Sequence, residues 1–81
     1  MKIYARNFVK NSSYFFASSW IDDKWYYFIG CLSDVRLHYD DFWMPFEKIA
    51  VVSDRTYDIL FNEALTQKRL IDPLFYELVL Y

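Results

Sequence analysis

Residues 25–32 read Trp25-Tyr26-Tyr27-Phe28-Ile29-Gly30-Cys31-Leu32. All eight are apolar, aromatic or glycine. In a strand, Trp25, Tyr27, Ile29 and Cys31 point one way, and Tyr26, Phe28, Gly30 and Leu32 the other. A strand apolar on both faces is expected to be central and covered on both sides.

Working outward, Asp22-Asp23-Lys24 is a polar break of hairpin length. Before it, residues 14–21 read as an aromatic-rich strand. Lys10-Asn11-Ser12-Ser13 is a turn signal, and residues 3–9 form a first strand. Strict alternation puts Ile3, Ala5 and Val9 on one face, opposite Tyr4, Arg6 and Phe8. Beyond the central run, Ser33-Asp34 suggests a turn. Val35, Leu37 and Tyr39 then alternate with Arg36 and His38 as an outer, half-buried strand.

Residues 40–45 look irregular, because two acids precede Phe42, Trp43 and Met44 and Pro45 disfavours helix for its neighbour. Residues 48–52 are a short β-like run. The helical stripe follows over residues 55–70, with Tyr57, Leu60, Phe61, Ala64 and Lys68 on one side. Ser53 or Asp54 can cap it, and Asp72-Pro73 ends it. Residues 74–81 read as a last strand, although Leu74, Leu78 and Tyr81 also fit a short helix. The expected fold is α+β in one domain over residues 1–81: an antiparallel β-meander of four to five strands with one helix on one face. One helix cannot cover both faces of such a sheet. Residues 40–45, a second copy or a partner are the candidates for the other face.

Aromatic residues make up 23% of the 81 residues, with three Trp, eight Tyr and eight Phe. A thin core does not need that many, so some are expected on the surface, where Trp and Tyr serve interfaces. Net charge is −2 and the pI about 5.1, too acidic for a protein working by phosphate neutralisation. Residues 1–32 carry +2 and residues 33–81 carry −4. A single cysteine allows no internal disulfide and fits a reducing compartment. With no apolar signal core at the start, the expectation is a cytoplasmic protein, in the host cytoplasm if viral. The longest apolar run is too short for a bilayer.

Catalytic chemistry is poorly represented. His38, Asp40 and Asp41 could ligate a divalent ion, but nothing else has ligand spacing, and the cluster reads better as a strand edge and turn. Cys31, set in the apolar strand, reads as an inert core thiol rather than a nucleophile paired with His38. No serine has a glycine-flanked elbow, and the segment before Arg55 lacks the glycines of a phosphate loop. No metal or cofactor is expected.

An aromatic sheet could stack single-stranded bases, with Tyr4, Phe8, Tyr14, Phe16, Trp25 and Tyr27 as platform and Lys2, Arg6, Lys10 and Lys24 beside it. Direct nucleic-acid binding is nonetheless disfavoured by the missing basic field. The leading expectation is a non-enzymatic interaction protein, an inhibitor, antitoxin or immunity-type factor of the kind that phages and mobile elements use against host defences, including anti-CRISPR-like antagonists. It would occlude a protein or protein–nucleic acid complex with an aromatic surface and an acidic rim. Phe42, Trp43 and Met44 are the expected anchor, Asp40 and Asp41 its rim, and Trp20, Trp25 and Tyr27 further contacts. A homodimer burying the open sheet face is the other structural possibility.

Overall fold

The computed structural model describes residues 2–10, 13–39, 41–67 and 72–81. Among these residues seven strands form one sheet: β1 (Ile3–Lys10), β2 (Tyr14–Ile21), β3 (Lys24–Cys31), β4 (Arg36–His38), β5 (Asp41–Met44), β6 (Ile49–Val52) and β7 (Asp72–Leu80). Their order across the sheet is β4-β5-β7-β1-β2-β3-β6. All neighbours are antiparallel except β5 and β7, which run parallel. The helix α1 spans Asp54–Thr66.

The α+β class stands, mostly sheet with one helix. The four- to five-stranded meander does not. Only β1, β2 and β3 follow one another as a meander. The chain then leaves for the far edge, returns with β6 beside β3, and inserts β7 between β5 and β1. The aromatic run 25–32 therefore lies one strand from an edge, not at the centre.

The sheet itself covers its second face by curling. Phe8, Phe15, Phe28, Met44, Leu78 and Leu80 share one side with Ala5 and Ala17, and all are at most 1% exposed without a helix above them. Gly30 of β3 and Met44 of β5 lie in contact, since a Cβ on Gly30 would fall 3.2 Å from the Met44 methyl. In a flat sheet the four intervening strand spacings would separate them by about 19 Å. Pro45 and a 3-10 turn at Phe46–Lys48 join β5 directly to β6 on the opposite edge. The result is a half-closed barrel with an aromatic interior.

A bulge in β1 helps the curl. The register shifts between Arg6 and Val9, so Ala5 and Phe8, three residues apart, both face inward. Strict alternation had placed Phe8 opposite Ala5, and one extra residue in the strand reverses that. The β2–β3 hairpin turns on Asp22 (φ 51°) and Asp23 (φ 62°), the two positive φ values that a two-residue turn of matching twist requires.

The helix packs outside the barrel on β2 and β3. The Phe16 ring meets Tyr57 at 5.9 Å and Phe61 at 5.5 Å, both edge-on, and Tyr27 lies 5.0 Å from Tyr57. Ser53 caps the helix by accepting from the Thr56 N–H. Leu60, expected on the packed stripe, is 40% exposed; Ala64 is the buried helical residue. The expected helix end at residues 68–70 lies outside the described residues. No helix among the described residues is long and apolar enough to cross a membrane.

Candidate functional site

Pleating decides which aromatics reach the surface. On the outer face, Arg36 of β4 pairs with Trp43 of β5, Trp43 with Val79 of β7, and Val79 with Tyr4 of β1. Arg6 pairs with Ser18, so Tyr4 and Trp20, two residues further along each strand, occupy neighbouring positions. Trp20 in turn pairs with Trp25 of β3. One row thus crosses six strands and carries all three tryptophans of the chain.

The helix does not lie over this row. Tyr4, Trp20, Trp25 and Tyr81 are each roughly half exposed, and Trp43 is half-buried. The Trp20 and Trp25 rings meet edge-on at 5.3 Å. At the other end Trp43 lies 5.7 Å from Tyr81 and 5.3 Å from His38. The Lys2 ammonium sits 4.6 Å above the Trp43 ring and 5.7 Å above Tyr4, within cation–π range. Arg6 and Arg36 are exposed beside the row. Asp22 and Asp23 flank its hairpin end, and Glu77 is exposed on β7.

The structure separates the expected anchor. Residues 41–44 are a regular strand rather than an irregular loop, because β4 and β7 pair with both of its edges. Met44 is fully buried, and Phe42 packs on Phe8 at 5.1 Å. Both side chains belong to the interior, so of the three anchor residues only Trp43 reaches the outer face. This strand also supplies part of the cover that the open sheet face lacked. Asp41 is half-buried next to His38 in the β4–β5 pair, and Asp40 lies outside the described residues. Tyr27 is beneath Tyr57, and Trp20 and Trp25 stand in the row.

Other expectations are corrected in the same way. Phe8 and Phe16 are buried and cannot serve as a stacking platform, whereas Tyr4 and Trp25 remain accessible. Cys31 is exposed at the end of β3 rather than in the core, because its face of β3 continues past the helix. No group of three metal-ligating side chains occurs among the described residues. Tyr4, Tyr81 and Lys2 were not singled out together with Trp43 from the sequence, because only the β5–β7–β1 register brings them side by side.

Burial pushes the Tyr57 hydroxyl up to about 12, with the nearby Asp58 and Tyr27 adding to the effect. It is a structural phenol on the side of the helix that packs against Phe16 and Tyr27.

The chain matches no family model, no curated protein and no solved structure.

Proposed function

We propose that this protein is a non-catalytic interaction module, of the small-inhibitor type, that docks on a macromolecular partner through its outer aromatic row and acts by occlusion. The carrying observation is that Trp20, Trp25 and Trp43 all stand on the outer side of the curled sheet, in the row that the helix does not cover. A small domain gains most by burying its largest aromatics, yet this one holds its tryptophans outside a core built from Phe, Leu and Met. Trp, Tyr and Arg are the residues in which interface energy concentrates, and Lys2, Arg6, Arg36, Glu77, Asp22 and Asp23 around them make a rim of both signs, suited to a protein surface.

The test is binding to the captured partner by Trp20→Ala and Trp25→Ala, beside an Ile59→Ala control on the exposed side of the helix. Each tryptophan variant should weaken binding about 30-fold, the loss of about 2 kcal/mol expected of a hot spot, while the control changes it little. Equal losses in all three would refute the reading.

Single-stranded nucleic acid is a second reading, favoured by Lys2 lying across Trp43 and Tyr4. It requires binding that falls steeply with salt. The acids on the same face weigh against it.

A further inference from the structure

Where the row reaches the sheet edge, Arg36, Leu37, His38, Trp43 and Tyr81 surround a cleft of about 290 Å³. That is near the lower limit of small-molecule sites, which run from about 300 to 1,000 Å³, and suits one side chain better than a cofactor. Its walls are π surfaces: the Trp43 and Tyr81 rings lie 50° apart and His38 stands edge-on to Trp43.

Its polar groups are mainly donors. The Arg36 guanidinium offers a planar fork of N–H groups, and among the described residues no carboxylate is paired with it or with His38. The Trp43 Nε1–H is shielded from solvent and has no acceptor. A shielded donor left unpaired carries a desolvation cost that an incoming acceptor would remove. Lys2, an exposed side chain lying over the same indole, adds an ammonium. The Tyr81 main-chain oxygen is engaged elsewhere, accepting from the Phe46 N–H at 2.8 Å.

We propose that this cleft is the specificity pocket of the docking face and takes a carboxylate side chain, an Asp or Glu on an exposed segment of the partner protein. This rests on the docking reading above. A carboxylate fits the Arg36 fork in two parallel hydrogen bonds, and the unpaired indole N–H of Trp43, a side chain of the cleft wall, is the further donor its oxygen would take up on a small local adjustment. A single negative charge also matches the local field better than a phosphate chain does, since Asp41 and Glu77 already offset part of the positive charge of Arg36, Lys2 and Arg6.

The test uses the free, ¹⁵N-labelled protein, followed by its indole N–H signals during titration with acetate, benzoate, inorganic phosphate, and sodium chloride at matched ionic strength. The Trp43 signal should move downfield and saturate with acetate and benzoate, while Trp20 and Trp25 stay in place. Arg36→Gln, on an exposed edge strand, should weaken the effect about tenfold with its fold intact. No saturable Trp43 shift, an equal response to chloride, or tighter saturation by phosphate than by either carboxylate would overturn the assignment. No partner is needed, so failure here leaves the Trp20 and Trp25 binding test standing, and failure of that test leaves this one readable.

Discussion

Trp20 and Trp25 face each other across the β2–β3 hairpin, ring centroids 5.3 Å apart and planes at 75°, with 54% and 45% of their surfaces still in water. An edge-on aromatic pair contributes about 0.5–1.5 kcal/mol beyond burial. Trp20→Ala and Trp25→Ala should each cost about 1 kcal/mol in urea unfolding, and the double variant should cost less than their sum. Losses above about 3 kcal/mol would mean that these rings belong to the core.

The hairpin between them can be improved. Asp22 and Asp23 both hold positive φ, and Asn-Gly is the sequence best suited to that turn. Asp22→Asn with Asp23→Gly should stabilise the protein by about 0.5–1 kcal/mol, raising the melting temperature by a few degrees. Calorimetry reads this directly.

Gly30 behaves in the opposite way. Alanine elsewhere in a strand gains backbone entropy, but here its Cβ would fall 2.6 Å from the Phe15 ring and 3.2 Å from the Met44 methyl, both fully buried. Gly30→Ala should therefore destabilise by about 1–3 kcal/mol, seen as a lower urea midpoint at unchanged slope. Adding Phe15→Leu should cost less than the two changes separately, because the smaller side chain removes the clash.

Tyr57 makes the helix packing sensitive to alkali. Its hydroxyl titrates near 10.0 in the unfolded chain and is pushed up to about 12 in the fold, mainly by burial. The folded state thus holds this proton more tightly. The stabilisation is fully present below pH 10 and is lost as pH rises towards 12. Tyr57→Phe should flatten that alkaline fall relative to the parent protein between pH 10 and 12 by about 1 kcal/mol, less than the full shift corresponds to because the phenol is partly exposed and screened by solvent, as followed by helix and sheet circular dichroism.

Local pattern made the elements legible in the sequence, and topology hid the site. The runs 14–21 and 25–32, the Asp22-Asp23 turn and the Ser53 cap could be read because each depends on neighbouring residues. Phe42-Trp43-Met44 could not be read as a strand: it is four residues with Asp41, and its pairing comes from β7, 36 positions later. The same long-range pairing decides that Met44 points inward and Trp43 outward. Phe8 was misplaced because a bulge leaves no mark on an alternation. The surplus of aromatics did signal an open aromatic surface, but its location follows from the curl of the sheet, which is written in contacts such as Gly30 with Met44 rather than in any one segment.

Hydroxyl-radical footprinting of the protein, alone and bound to its captured partner, tests the docking face most directly, since it needs no variant that could misfold. We expect Trp20, Trp25, Trp43, Tyr4 and Tyr81 to be protected together in the complex, while Ile59 and Leu65 on the helix oxidise as in the free protein. Protection confined to the helix, with the three tryptophans as reactive as before, would contradict the outer aromatic row as the contact surface.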